Sequence, residues 1–95
     1  MPRSAPRLPN AMERLVNAEP TPEYARRKSA LVDAETRRSL ERVEAAVAAD
    51  PLHRNRRFER PDGTVVDWSV PGVLLAYAMR DPNTVEYVEF FLTLS

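Results

Sequence analysis

The chain has no cysteine, one histidine (His53) and one lysine (Lys28) among its 14 basic residues. Without cysteine there is no disulfide scaffold and no thiolate metal site. A lone histidine cannot anchor a zinc centre without carboxylate help, and no such cluster is visible, so neither a metal nor a cofactor is expected. Long apolar runs are also missing. The longest, VLLAYAM at 73 to 79, is far too short to span a bilayer. The first ten residues, MPRSAPRLPN, are polar and proline-rich and lack an apolar stretch of signal-peptide length. These absences predict a soluble, cytoplasmic protein with no membrane partner.

Excess charge of either sign is absent too: 14 basic residues balance 14 acidic ones. With an ordinary apolar fraction, this excludes a disordered tail and a general polyanion binder. Ninety-five residues allow one domain with one modest core. Abundant alanine and arginine reflect a GC-rich coding sequence, so the arginine count alone says nothing about phosphate binding. The distribution is more informative. Residues 51 to 60 carry Arg54, Arg56, Arg57 and Arg60 against Glu59. Residues 62 to 95 carry Arg80 against Asp62, Asp67, Asp81, Glu86 and Glu89. This segregation predicts a basic patch beside an acidic sheet.

Three prolines in the first ten residues predict a disordered extension over 1–11, followed by a single domain over 12–95. The segment 12 to 19, MERLVNAE, fits a first strand or a helical turn equally. Thr21-Pro22-Glu23 starts a helix: a capping hydroxyl, proline at the first helical position, and a carboxylate at the positive end of the dipole. Helical composition runs to Ala49, and Asp50-Pro51 stops it. Leu40, Val43 and Val47 share one face, with Leu31 and Val32 one segment earlier. Asp33 is a second cap, so the region reads as one long helix or two joined near Val32-Asp33. Two antiparallel helices bury more apolar surface and are preferred. Glu23 with Arg27, and Arg37 with Glu41, sit four apart and predict intrahelical pairs on a solvated face.

Beyond Gly63 the period becomes strand-like. TVVDWSV (64 to 70) places Thr64, Val66, Trp68 and Val70 on one face, taken as the core side, and Val65, Asp67 and Ser69 on the other. Pro71-Gly72 suits the centre of a type II turn, and Asp81-Pro82-Asn83-Thr84 a type I turn. VLLAYAMR (73 to 80) and VEYVEFFLTL (85 to 94) complete a three-stranded antiparallel meander. The fold class is therefore α+β: a short first strand, two helices and a meander. Tyr77 and Tyr87 are expected in the core or at its rim, and Trp68 in the core.

That order, with LERVEAAVAADP (40 to 51) and VVDWSVPGVLLAYAMRDPNTVEYVEFF (65 to 91), resembles the RelE/ParE superfamily of toxins from toxin–antitoxin systems. Gly72, Leu75 and Tyr77 occupy the places of the family's glycine turn and x-Leu-x-Tyr strand, and the likeness spans roughly residues 12 to 95. The resemblance implies a small toxin neutralised by a cognate antitoxin. RelE-like members cut messenger RNA on the ribosome, whereas ParE-like members act on DNA gyrase.

A metal-free ribonuclease needs a base for the 2′-hydroxyl, cations for the phosphate and an acid for the leaving oxygen. Asp67 stands where a RelE-like lysine is expected and Leu74 where an arginine is. No counterpart of the family's final basic or tyrosine-bearing segment appears up to Ser95. The candidates that remain lie in the connector 51 to 63. His53 titrates near neutrality and is the candidate catalytic residue. Arg54, Arg56, Arg57 and Arg60 are candidate nucleic-acid contacts, able to clamp phosphate bidentately. The competing reading makes all five solvated loop residues.

A sheet apolar on both faces needs cover on both. Leu74, Ala76 and Ala78, with Val88, Phe90 and Leu92, form the candidate partner face. It would take an antitoxin segment or a second copy of the chain, unless the chain's own N-terminal segment folds over it, and the last strand offers an edge for strand addition. Two functions follow. One is a toxin-like component, mRNA-cleaving or otherwise translation-inhibiting. The other is a non-catalytic protein-binding module of the same fold.

Overall fold

A computed structural model describes residues 16–93. The extension expected at 1–11 lies outside the described residues, as do 12–15. Within them the chain runs β1 (Asn17–Pro20), α1 (Pro22–Ser29), α2 (Ala34–Ala49), β2 (Arg57–Glu59), β3 (Val65–Asp67), β4 (Val73–Asp81) and β5 (Thr84–Leu92). It is an α+β fold with two helices on a five-stranded mixed sheet, ordered β1-β5-β4-β3-β2. Strands β2 to β5 run antiparallel to their neighbours, and β1 lies parallel to β5. No helix among the described residues is long and apolar enough to cross a membrane.

Both helices start where their caps dictate. The Thr21 side chain accepts from the Tyr24 amide at 3.1 Å, and Asp33 accepts from the Thr36 amide at 3.2 Å. The break at Ala30–Asp33 lets each helix settle over its own strand, α1 on β5 and α2 on β4. Tyr24, Leu40, Val43 and Val47 meet Val65, Val73, Leu75, Tyr77, Val85, Tyr87 and Phe90 in one cluster. The expected intrahelical pairs are replaced by others. Glu23 pairs with Arg26, and Arg27 lies over the Phe90 ring at 4.5 Å. Glu41 faces Lys28 at 3.6 Å, and the Arg37 guanidinium donates to the Leu31 carbonyl.

The only lysine joins the helices. Its Nζ lies 3.0 Å from Glu44, whose other carboxylate oxygen accepts from the Tyr24 hydroxyl at 2.6 Å. The Tyr87 hydroxyl donates to the Glu44 carbonyl at 2.8 Å. Burial first, then the Glu44 carboxylate, push both tyrosine hydroxyls well above their ordinary pKa.

Three sequence expectations are corrected. First, the meander has a fourth antiparallel strand, because Arg57–Glu59, inside the presumed connector, pairs with β3 through Phe58 opposite Val66. Second, β5 is no edge: β1 pairs with it from Asn17 opposite Thr84 to Pro20 opposite Tyr87. Among the described residues the edge strands are β1 and β2.

Third, β5 changes face part-way. The β4–β5 register passes from Ala76 opposite Glu89 to Tyr77 opposite Tyr87, leaving Val88 as an extra residue. Such a bulge flips the side-chain parity beyond it. Tyr87 and Phe90 therefore both point at the helices, and Phe90, expected on the partner face, is 1% exposed in the core. Its ring meets Tyr24 edge-on at 5.3 Å. Thr21 holds the bulge, its amide donating to the Tyr87 carbonyl at 3.0 Å and its hydroxyl to the Val88 carbonyl at 3.4 Å.

This parity change has a measurable consequence. Phe90→Ala should cost about 3–5 kcal/mol in urea unfolding, whereas Phe91→Ala, at a site 38% exposed, should cost under about 1.5 kcal/mol. The opposite ranking would mean that the strand runs on without its bulge.

Candidate functional site

Helix α2 has no basic residue in its last turn, so its negative dipole end is left to be met from elsewhere. Arg57 meets it from β2. Its Nη2 donates to the Ala46 carbonyl at 3.3 Å, and its Nη1 donates to the carbonyls of Asp50 at 2.6 Å and His53 at 2.9 Å. Nη1 also reaches the Tyr77 hydroxyl oxygen at 3.1 Å, and that hydroxyl donates to the Pro51 carbonyl at 2.7 Å. Nε donates to Asp67 Oδ2 at 2.6 Å. The second Asp67 oxygen accepts from the Ser69 amide at 2.7 Å and hydroxyl at 2.6 Å. The side chains of Arg57 and Asp67 are 3% and 1% exposed.

This corrects the expectation for Arg57. Its side chain is almost wholly buried and is tied to three carbonyls, a hydroxyl and a carboxylate, so its charge is met within the fold. It also explains Asp67, whose carboxylate is neutralised at close range. Because Asp67 turns toward Arg57, the inner face of β3 is the one carrying Val65 and Asp67, the reverse of the sequence expectation. Trp68 consequently leaves the core and is 48% exposed.

The other connector residues divide into two kinds. Arg60 donates to Glu89 at 3.0 Å and to the Thr64 hydroxyl at 2.7 Å, with Asp62 at 4.0 Å. Arg54 and Arg56 have no carboxylate partner among the described residues. Arg54 Nη1 donates to the Pro51 carbonyl at 3.1 Å. Arg56 has a left-handed backbone, φ 64°, uncommon for a residue with a side chain, and lies over the Trp68 ring at 5.7 Å. His53 is exposed, and its imidazole makes no hydrogen bond among the described residues; its backbone amide and carbonyl do the bonding. His53, Asn55, Arg56 and Arg57 line a cleft of about 360 Å³ that also touches Ala46, Asp50, Asp67 and Ser69. No group of three or more histidine, cysteine or acidic side chains among the described residues is placed to hold a metal.

The outer sheet face carries the expected Leu74, Ala76 and Ala78, whose neighbours Val73, Leu75 and Tyr77 belong to the inner cluster. Val88 sits in the bulge, and Leu92 lies opposite Val73 at the end of the sheet, half-exposed. Phe58, Trp68 and Phe91 are the exposed aromatics of the described chain. Sequence reasoning missed Phe58 and Phe91. Phe58 was legible only once Arg57–Glu59 was known to be a strand, and Phe91 only once the bulge was known.

Comparison with protein-family models, with curated proteins and with solved structures gives no match to this chain. The functional reading therefore rests on the residues themselves.

Removing one partner of a buried ion pair strands the other. Arg57→Ala and Asp67→Ala should each lose about 3–5 kcal/mol in urea unfolding. The double variant should fall short of the sum by about 1–3 kcal/mol. Strict additivity would break the assigned tie.

All three tyrosines, Tyr24, Tyr77 and Tyr87, have pKa values raised chiefly by burial. At Tyr77 the Arg57 and Arg54 cations oppose the rise. A group whose folded pKa is raised gives stability that is complete below the unfolded value, about 10, and lost as pH climbs above it. Stability should then fall by up to about 1.4 kcal/mol per pH unit for each tyrosine. Tyrosinate absorbance should appear only together with loss of the circular-dichroism signal. A tyrosine titrating near pH 10 in the folded chain would contradict this assignment.

Proposed function

We propose that the chain is a toxin-like protein of the RelE/ParE superfamily that works through protein contacts rather than as a ribonuclease. The superfamily reading is supported by two helices between a first strand and a run of antiparallel strands, with the first strand alongside the last. Fold order alone does not assign an activity.

One observation carries the functional half: the Arg57–Asp67–Tyr77 group is closed on itself. Ribonuclease chemistry needs a cation, a base and an acid free to meet one phosphodiester. Here the central arginine spends its donors on carbonyls, a hydroxyl and a carboxylate, and the aspartate accepts three hydrogen bonds from within the fold. Three aromatic side chains, Phe58, Trp68 and Phe91, stay exposed. On this reading the outer sheet face, with Leu74, Ala78 and Val88 and the nearby Phe58 and Phe91, takes the cognate antitoxin. The target is then a protein such as DNA gyrase, in the cytoplasm.

A nuclease reading keeps one specific observation in its favour. His53 and Arg56 border the same cleft, and Arg56 and Arg54 carry no carboxylate partner. Induced expression in a bacterial host, with growth followed and reporter messages mapped by primer extension, separates the two. Contact function requires messages to remain intact, with growth unaffected by His53→Ala. New cleavages inside translated codons that vanish in His53→Ala would replace it with the nuclease.

A further inference from the structure

Among the described residues β2 is an edge of the sheet, and its outward backbone groups can be assigned. The ladder around it is marked by the Trp68 amide donating to the Arg56 carbonyl at 3.0 Å and the Arg60 amide donating to the Thr64 carbonyl at 2.8 Å. Antiparallel pairs alternate between bonded and non-bonded positions. Phe58 therefore bonds to β3, while the amides and carbonyls of Arg57 and Glu59 face away from the sheet. The Arg57 amide is taken by the Arg54 carbonyl at 3.3 Å. The Arg57 carbonyl and both backbone groups of Glu59 have no backbone partner among the described residues.

We infer that β2 is a self-complementary edge by which two copies of this chain pair antiparallel about a two-fold axis through Phe58. The open groups suit that register. Each Arg57 carbonyl would accept from the Glu59 amide of the second copy, giving two hydrogen bonds across the axis. At that pair Glu59 stands opposite Arg57, whose guanidinium stays committed to Asp67 and the carbonyls at the end of α2, so no like charges meet there. On the outer face Phe58, 50% exposed, meets Phe58 of the second copy in a non-bonded pair, where side chains come closest. Arg56 falls opposite Arg60, and that like-charge approach is offset by Glu89 and Asp62, which already hold Arg60. A hetero-partner strand would need its own matching pattern, whereas the chain supplies one for itself.

This edge is separate from the functional reading above and stands whether or not the chain is a toxin. Three paired residues make a small, transient interface, so sedimentation of the full chain is followed up to about 1 mM. The expected result is a reversible monomer–dimer equilibrium. In Glu59→Pro the outward amide is lost while the β3 ladder is untouched, a position where strands tolerate proline. Its dimer constant should weaken about tenfold or more, with the circular-dichroism spectrum unchanged.

A second measurement does not depend on that variant folding. The native chain has no cysteine, so Phe58→Cys carries a single thiol. In a non-bonded antiparallel pair, Cα atoms about 4.5 Å apart lie within disulfide reach. Oxidation should convert most of Phe58→Cys to a covalent dimer and leave Val32→Cys, on the exposed turn between the helices, largely monomeric. A monomer at every concentration, or Phe58→Cys cross-linking no faster than Val32→Cys, overturns the inference.

Discussion

One guanidinium holds the molecule's parts together. Arg57 joins the carbonyl end of α2, the turn that follows it, the edge strand β2 and the buried carboxylate of β3. Tyr77 extends the tie to β4 by donating to Pro51. A buried ion pair adds little net stability over an apolar pair of the same volume. Its effect here is directional. Once Asp67 must face Arg57, β3 can present only Val65 to the helices with it, and Trp68 is turned out. The arginine also supplies the cation that α2 lacks in its own last turn.

The same tie explains how much of the fold could be read in advance. Local rules did well. The caps at Thr21 and Asp33, the stop at Asp50-Pro51 and the apolar stripe of Leu40, Val43 and Val47 all appear as the sequence suggests. So does the turn at Gly72, with φ 92°. The failures are long-range. The partner that neutralises Asp67 lies ten residues away in a strand of three residues, too short to show alternation. The bulge at Val88 is fixed by Thr21, 67 residues earlier. The run VEYVEFF is apolar enough on both faces that its pattern does not mark where parity breaks. Of the candidate site, His53, Arg54 and Arg56 remain available at the surface, whereas Arg57 and Phe90 are absorbed into the interior.

Charge segregation along the sequence also folds away. The basic stretch and the acidic stretch are neighbours in the sheet, and they pair: Arg57 with Asp67 and Arg60 with Glu89. A basic patch beside an acidic sheet is therefore largely cancelled, and the unpaired cations left near the connector are Arg54 and Arg56. An arginine-rich segment can be an adhesive between strands as readily as a grip for phosphate.

The outer sheet face follows from these pairings. No helix of the described chain packs there, yet Val66 and Ala76 are fully buried. They lie in one cross-strand row, Phe58–Val66–Ala76–Glu89. Arg60 leaves the end of β2 and Glu89 sits on β5, so their ion pair must pass over β3 and β4. That bridge, with Phe58, covers the small residues at the centre of the face and leaves its apolar exposure at the rim, in Phe58 and Phe91. A partner meeting this rim gains aromatic contact without unmaking the Arg57 tie or the inner core. Substitutions at the rim therefore leave the inner core and the Arg57 tie intact, while substitutions at Arg57, Asp67 or Tyr77 alter whether the chain folds.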